Sequence, residues 1–248
     1  PQIKDKGQWP RQAQTSRSYL EIPRKNGKSE LAAAIALYLL FADGEPGAEI
    51  YSAAADREQA SLVFNAAATM VRKSKSLSKI SRIINSQKRI VFYKKNSFYR
   101  AISSEAYSKH GFNTHAVVYD ELHVAPNRDL WDTLQTSMGA RRQPLMLAIT
   151  TAGYDRNSIC WEVHEYARQV RDGVIKDPSF LPVIYSADPE DDWTDEKVWA
   201  KANPNLGVTI KLDFLRQECQ RAKEIPAYQN TFRRLYLNQW TQQDTRWI

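Results

Sequence analysis

Cysteine and long hydrophobic runs are both scarce in this sequence. Only Cys160 and Cys219 occur, and two cysteines supply neither a disulfide framework nor the spacing of a zinc site. The longest apolar stretch, residues 31–41, is about half the length that a helix needs to cross a bilayer. Nothing at the amino terminus resembles a signal peptide. We therefore expect reduced thiols and a cytosolic protein without membrane association.

Acidic residues are also in the minority. The 28 Asp and Glu against 35 Lys and Arg give a formal net charge of +7 and a pI near 9.3. Basic surface attracts phosphate through a salt-sensitive field that does not depend on sequence. Hydrophobic residues make up 42% and charged residues 25%, which is typical of folded domains and unlike disordered chains. The composition therefore favours a soluble globular protein and permits a nucleic-acid partner.

Hydrophobic patterning predicts alternating strands and helices along most of the chain. We predict strands over residues 18–22, 49–53, 90–93, 98–102, 116–119, 145–150 and 183–185, and helices over residues 29–41, from Asp56 onward, and over 130–138 and 158–172. The Ser/Lys run 73–79 has no periodicity and is typical of a solvated loop. This alternation indicates an α/β fold in which helices flank a mostly parallel central sheet.

The character of the sequence changes after residue 186. Residues 187–248 are poor in strand signals, and we predict helices over 212–223 and 228–237 and a helix capped by Thr194. We therefore expect two units, a core of residues 1–186 and a small helical unit of residues 187–248.

The segment Arg24-Lys25-Asn26-Gly27-Lys28-Ser29 lies between the first predicted strand and its helix. A phosphate-binding loop belongs at that position. Gly27 allows the backbone to approach phosphate, Lys28 can reach the β and γ phosphates of ATP, and Ser29 can ligate Mg²⁺. The loop departs from the common pattern, because Ile22 stands where a first glycine is expected. We assign residues 24–30, which end at Glu30, to nucleotide binding.

Residues 116–121 form an apolar strand that ends in two acids, Asp120 and Glu121. In ATPases of this kind the first acid holds the metal and the second activates the attacking water. We therefore assign Asp120 with Ser29 to Mg²⁺, and Glu121 with Lys28 to catalysis. An isolated acidic strand end is more often a solvated turn, and only its pairing with the phosphate loop favours catalysis.

Hydroxyl groups follow the strand predicted over residues 145–150. Ligands bind at the carboxyl ends of parallel strands, so Thr150 or Thr151 could sense the γ phosphate and transmit hydrolysis to movement. Ordinary turn chemistry explains the same hydroxyls equally well.

In combination these motifs resemble the large subunit of the terminase of tailed bacteriophages. The resemblance is carried by Arg24 to Ser29 without an initial glycine, by Asp120-Glu-Leu-His123, by Thr150-Thr-Ala-Gly153 and by Leu237-Asn-Gln-Trp240. It implies a P-loop NTPase of the ASCE type, with an extra strand between the two nucleotide motifs and a helical lid or linker subdomain. Arg24 then matches the loop arginine that senses phosphate and contributes to catalysis.

The resemblance also implies the biological setting. It implies an ATP- and Mg²⁺-dependent motor that moves double-stranded DNA into a procapsid, as a homo-oligomeric ring, a pentamer when assembled. It further implies a portal protein and a small terminase subunit as partners in the host cytoplasm, and a nuclease domain after the lid, beyond the end of this chain. Candidates for an arginine finger acting on a neighbour are Lys109, Arg141 and Arg142.

Three other interpretations compete with this one. Another nucleic-acid translocase or helicase would share the loop and the acids. A metal-dependent nuclease would use the carboxylates of a single loop, namely Asp188, Glu190, Asp191, Asp192 and Asp195, although solvation and helix capping explain these better. A non-enzymatic module would only hold an anion in the loop. No zinc-like spacing connects the four histidines, and we assign them no catalytic role.

Overall fold

The computed structural model describes residues 15–104 and 111–241. Eight strands in this part form one sheet: β1 (Arg17–Glu21), β2 (Glu49–Ala54), β3 (Arg82–Ile84), β4 (Arg89–Phe92), β5 (Ser97–Ser103), β6 (Thr114–Asp120), β7 (Leu145–Thr150) and β8 (Phe180–Ile184). The helices are α1 (Lys28–Phe41), α2 (Arg57–Lys73), α3 (Lys75–Ile80), α4 (Asp129–Thr136), α5 (Ile159–Arg171), α6 (Glu196–Ala202), α7 (Leu212–Glu224) and α8 (Pro226–Leu237).

The strand order is β3-β4-β5-β2-β6-β7-β1-β8. The six strands from β5 to β8 in this order pair in parallel, whereas β3 and β4 add an antiparallel edge. Strand β7 lies between β1 and β6, so one strand separates the two strands that carry the nucleotide motifs. The prediction of a mostly parallel sheet with an inserted strand is confirmed.

Helices cover both faces of the sheet, and each face has its own hydrophobic core. Helices α1 and α2 pack on one face, where Phe64 and Ile149 are buried. Helices α4 and α5 pack on the other, where Tyr119 and Leu134 are buried. Strands β6 and β7 are therefore enclosed from both sides, which explains their continuous apolar runs.

Local hydrogen bonds fix where the helices begin. Asp56 accepts bonds from the amides of Glu58 at 2.8 Å and Gln59 at 2.9 Å, as its position ahead of α2 predicted. The prediction of a loop over residues 73–79 was wrong, because Ser74 caps the short helix α3. No residue of α3 is buried, so it left no hydrophobic periodicity in the sequence.

A third core forms after β8. Helices α6, α7 and α8 enclose Trp199, Leu215 and Phe232. The cap of α6 is Asp195, which accepts from the amide of Lys197 at 2.8 Å, and the prediction that Thr194 caps this helix was wrong. Thr194 instead donates its hydroxyl to Asp192.

Within residues 15–104 and 111–241, no helix combines the length and apolar character needed to span a membrane.

Candidate active site

The loop between β1 and α1 is shaped for phosphate. Gly27 has a φ of 79°, in the left-handed region that favours glycine, and it is followed at once by the first residue of α1. No side chain caps this helix, so its first amide groups are available to an anion. The loop thus joins the strand and the helix between which the sequence placed it, and phosphate binding by its residues stays a prediction.

Lys28 is almost buried, with 8% of its surface exposed. Its Nζ donates to the carbonyl oxygens of Ile22 at 3.0 Å and Pro23 at 3.2 Å. Burial lowers the pKa of Lys28, while the negative charges of Glu121 and Asp120 oppose that shift. The ammonium group is thus within electrostatic reach of Asp120, which ends β6, and of Glu121, which follows it.

Asp120 ends β6 with 2% of its surface exposed. Burial, and then the charge of Glu121, raise its pKa to about 7, against the attraction of Lys28. Its Oδ1 has no hydrogen-bond partner among the described residues. A buried carboxylate oxygen left free in this way is a suitable ligand for a hard cation.

The donors present fit Mg²⁺ bound together with a nucleotide. Mg²⁺ usually takes one or two carboxylates, several waters and phosphate oxygens rather than a complete protein cage. Asp120 offers a buried carboxylate oxygen without a partner among the described residues, and Ser29, which lines the cleft, offers a hydroxyl. In the described ranges no group of three or more His, Cys, Asp and Glu could hold a metal by itself.

Glu121 turns out of the strand with a φ of 51°, which is uncommon for a residue other than glycine. Its Oε2 lies 3.1 Å from Nδ1 of His123, and it accepts the Thr151 hydroxyl at 3.1 Å. Burial alone would raise the pKa of Glu121, but the His123 hydrogen bond, Lys28 and Thr151 lower it to about 2. Glu121 is therefore ionised at neutral pH, as a proton acceptor must be.

Thr150 is connected to Glu121 through His123. Its hydroxyl accepts from the backbone amide of His123 at 3.1 Å and donates to the carbonyl of Thr151 at 2.9 Å. Both threonines are fully buried and neither lines the open cleft; Thr151 contacts Glu121 directly, and Thr150 contacts His123. The end of β7 is thereby connected to the end of β6.

These elements surround a cleft of about 460 Å³. It is lined by predicted residues from both motifs, namely Arg24, Lys25, Gly27, Lys28, Ser29, Glu30 and Glu121, and also by Gln59, His123 and Val124. Asn26 is buried and points away from the cleft, where its side-chain amide meets Asn203. The sequence analysis assigned no role in the site to Gln59, His123 or Asn203, although His123 belongs to one of the motifs that carry the resemblance.

The candidates for an arginine finger that acts on a neighbouring subunit do not line this cleft. Arg141 donates to the carbonyl oxygens of Asn113, Pro46 and Gly47, at the end of the sheet where β7 begins. Arg142 lies 3.5 Å from Glu45 and is more exposed. Lys109 lies outside the described residues. A finger role for any of them stays a prediction.

The carboxylates of the rival nuclease interpretation have local partners. Lys201 Nζ pairs with Asp188 at 2.5 Å and with Asp191 at 2.7 Å. Asp192 and Asp195 accept from backbone amides at the start of α6. These contacts are those of a solvated loop and a helix cap, as expected.

A second buried carboxylate lies directly below the phosphate loop. Glu21, the last residue of β1, is fully buried. Its Oε2 accepts from the Tyr19 hydroxyl and Trp240 Nε1, and lies 2.8 Å from His164 Nδ1. Trp240 follows α8, so this contact also joins the end of the helical region to the core.

Comparison with known proteins decides the family. The model for "Terminase large subunit, ATPase domain" matches residues 8–169. This chain belongs to the terminase large subunits. A second model, "Terminase large subunit, endonuclease domain", matches residues 174–248 of this terminase chain.

Individual relatives are similar to this chain over different shares of its length. The large terminase subunit of Enterobacteria phage HK97 is 32% identical over 231 residues, which cover 92% of this chain and 45% of the relative. Its crystal structure superposes with a TM-score of 0.83 at 31% identity, covering 91% of this chain and 47% of that one. Protein YmfN of Escherichia coli (strain K12) is 42% identical over 130 residues, 52% of this chain and 29% of the relative.

The fold extends to more distant terminases. The large terminase of a thermophilic bacteriophage, in complex with ADP, has a TM-score of 0.58 at 9% identity, covering 91% of this chain and 48% of that one. This terminase chain spans less than half the length of the curated relatives described above. The resemblance found in the sequence is thus confirmed at the level of family and fold.

Proposed function

We propose that this terminase chain binds ATP in the cleft between the phosphate loop and β6, and hydrolyses it to move double-stranded DNA into a procapsid. The observation that carries the proposal is the meeting of Lys28 and Glu121 in one cleft, with the buried carboxylate of Asp120 close enough to both for their charges to interact. A lysine, a free helix start and two acids are the parts that phosphoryl transfer from ATP to water requires.

The phosphate loop binds and orients the nucleotide. The free amides at the start of α1 receive phosphate oxygens, and Lys28 exchanges its carbonyl partners for the β and γ phosphates. Arg24 and Lys25 are exposed at the rim, where their charges attract the triphosphate. Asp120 and Ser29 would hold Mg²⁺, which supplies charge neutralisation on the phosphates when it is bound.

Glu121 is the group that accepts a proton from the attacking water. Its carboxylate lines the cleft and is held by two contacts at 3.1 Å, to Thr151 and to His123. These contacts fix its direction, which matters because a base must lie within hydrogen-bond reach of the proton it removes. Thr150 and Thr151 connect this acid to β7.

The remaining parts of the proposal concern the assembled machine. Family membership and the net charge of +7 support double-stranded DNA as the polyanion that is moved. We place the protein in the host cytoplasm at the procapsid portal, as a homo-oligomeric ring, a pentamer when assembled, with the portal protein and the small terminase subunit as partners. Residues 1–186 would form the ATPase core and residues 187–248 the lid or linker unit.

Replacing Glu121 by Gln tests the catalytic part. The side chain keeps its size but loses its basicity, so we expect ATP affinity to stay within about twofold of wild type while turnover falls by about a hundredfold or more. The matched control is Glu162→Gln, at an exposed glutamate of α5. Unchanged turnover in Glu121→Gln would refute the assignment.

Assembly is tested by measuring ATPase rate against protein concentration. A finger supplied by a neighbouring subunit requires a rate that rises more steeply than linearly. A strictly linear rate across the concentrations at which the ring forms would contradict that part of the proposal.

A further inference from the structure

Two arginines from distant parts of the chain meet beside the nucleotide cleft. The backbone amide of Arg24, in the phosphate loop, donates to the carbonyl of Leu235 at 2.9 Å. Arg234 is the residue before Leu235 in α8, so its side chain leaves the helix next to that junction. Burial, followed by the charge of Arg24, lowers the pKa of Arg234. The bond between Arg24 and Leu235 therefore makes the two arginine side chains leave the backbone at neighbouring points of the loop and α8.

Neither of these arginines has an acidic partner within the described residues. No carboxylate lies within ion-pair distance of the Arg24 or Arg234 guanidinium there, and no side-chain hydrogen bond of either group is found in the same part of the chain. Arg234 is half-buried. Arg24 is exposed at the rim of the cleft, and an anion bound beside both side chains would offset the partial burial of the Arg234 charge.

Tyr154 fixes the direction of Arg234. The Arg234 Cζ lies 5.5 Å from the centre of the Tyr154 ring, within the range of a cation–π contact. Tyr154 lines a second cleft of about 430 Å³, which shares His123 and Val124 with the nucleotide cleft. Arg234 is thereby held against a residue of the second cleft, which adjoins the nucleotide cleft at His123 and Val124.

That side of the cleft is where the terminal phosphate of ATP must lie. The base has to reach the water that attacks the γ phosphate, so the γ phosphate lies nearest Glu121. The β phosphate lies farther back, against the start of α1. An arginine on the Glu121 side therefore meets the group that distinguishes ATP from ADP.

We propose that Arg234 is a phosphate-binding residue, which together with Arg24 holds the terminal phosphate of ATP and lets helix α8 distinguish ATP from ADP. This inference rests on the ATPase function proposed above and assigns that site a further residue. The planar guanidinium offers paired donors that match phosphate oxygens. Loss of the terminal phosphate on hydrolysis removes the anion between the two arginines, and their repulsion then favours separation of α8 from the loop.

Neighbouring arginines show that this arrangement is particular to Arg234. Arg233, one residue earlier, donates to Gln239 Oε1 at 2.6 Å and to the carbonyl of Pro189 at 3.4 Å. Arg221 stacks over the ring of Tyr228 at 4.3 Å in the same helical region, but it is exposed, and Tyr228, unlike Tyr154, lines neither of the two adjoining clefts. Arg221 is therefore a matched control, with the same cation–π contact and no access to the nucleotide.

The test measures the affinities of the intact protein for ADP and for a non-hydrolysable ATP analogue, by titration of a fluorescent nucleotide with Mg²⁺ present. We expect Arg234→Ala to weaken binding of the ATP analogue about tenfold and binding of ADP by less than about twofold. Arg234→Lys keeps the charge but loses the paired donors, so it should fall in between. Arg221→Ala should leave both affinities unchanged.

Two kinds of result would overturn the inference, and they are distinguishable. If the wild-type protein binds both nucleotides and Arg234→Ala leaves the ratio of the two affinities unchanged, Arg234 does not contact the terminal phosphate. An equal loss for both nucleotides, with a lowered melting temperature, would likewise show a structural role only. If the wild-type protein binds neither nucleotide, the ATPase proposal itself fails.

Discussion

The side-chain amide of Asn26 donates a hydrogen bond of 2.8 Å to Oδ1 of Asn203, 177 residues farther along the chain. Asn203 in turn donates to the carbonyls of Trp199 and Tyr236. Asn205 adds two bonds to Asn26 at 3.1 and 2.7 Å. The shape of the phosphate loop therefore depends on the helices that follow β8.

Asn203→Ala should uncouple these two regions. The change removes the side-chain donor to the Tyr236 carbonyl and the acceptor of the Asn26 side-chain amide, which costs about 1–3 kcal/mol of stability. We also expect ATP binding to weaken about fivefold, because the loop loses one of its supports. Thermal unfolding and nucleotide titration measure the two effects. Asn157→Ala, at an exposed asparagine, is the control, and wild-type nucleotide affinity in Asn203→Ala would contradict the prediction.

Asp120→Asn should abolish turnover and yet stabilise the metal-free protein. The raised pKa of Asp120, about 7 against an ordinary 3.8, means that the folded state disfavours the ionised carboxylate. Below pH 3.8 the Asp120 carboxyl is protonated in both states, and its contribution to the free energy of unfolding is fully present. That contribution is lost as the pH rises toward 7, because the unfolded chain releases the proton first. We expect a gain of roughly 2–4 kcal/mol at pH 7.5, or about 5–10 °C in melting temperature.

The pH dependence separates this effect from that of Glu121. The lowered pKa of Glu121 affects stability only below its ordinary value of 4.5, so between pH 5 and 7 the slope reports Asp120. That slope should flatten in Asp120→Asn and persist in Asp129→Asn, a control at an exposed acid of α4. The measurement is chemical unfolding in the presence of a chelator, and an unaltered slope in Asp120→Asn would disprove the assignment.

Gly153→Ala should destabilise the protein by about 1–3 kcal/mol through overpacking. A Cβ at this position would lie 2.8 Å from Cζ3 of Trp240 and 3.4 Å from Cβ of His123. Trp240 cannot move freely, since its ring packs against Trp161 and His164. Gly139→Ala is the matched control, because no heavy atom lies within 4 Å of its added Cβ. Equal urea midpoints for the two variants would contradict this packing argument.

Thr151→Val should lower turnover without changing ATP affinity. The valine has a similar shape but cannot donate to Glu121 Oε2, a bond of 3.1 Å in the wild type. Loss of this orienting contact should reduce kcat about ten- to a hundredfold while KM stays nearly constant. It should also raise the pKa of Glu121, moving the acid limb of the rate profile to higher pH. Thr136→Val, at a hydroxyl that bonds only within α4, should change neither quantity.

The sequence predicted those parts of the site that depend on neighbours along the chain. Gly27-Lys28-Ser29 and Asp120-Glu121 are short contiguous motifs, each adjoining a strand with a clear apolar run. Parallel strands present their carboxyl ends at one edge, so the meeting of the two motifs followed from the predicted sheet. The sheet in turn followed from strands β6 and β7, whose burial on both faces leaves uninterrupted apolar runs.

The rest of the site depends on contacts between distant residues. Asn203 and Arg234 carry no local signal, because an asparagine after a helix and an arginine within one are common in any protein. His123 acquires its position only through the left-handed backbone of Glu121, which sequence patterns do not reveal. The short helix α3 was missed for a related reason, since its stability comes from capping by Ser74 rather than from burial.

Strand β8 places Pro182 opposite Tyr19 at one border of the described sheet, and the opposite border is the short strand β3, which begins with Arg82. Proline offers no amide to an incoming strand, and charge on a short border strand discourages pairing. Copies of this protein crowded together should therefore resist joining edge to edge into fibrils. Any ordered association between them is left to helices and loops, whose contacts can be made and released repeatedly.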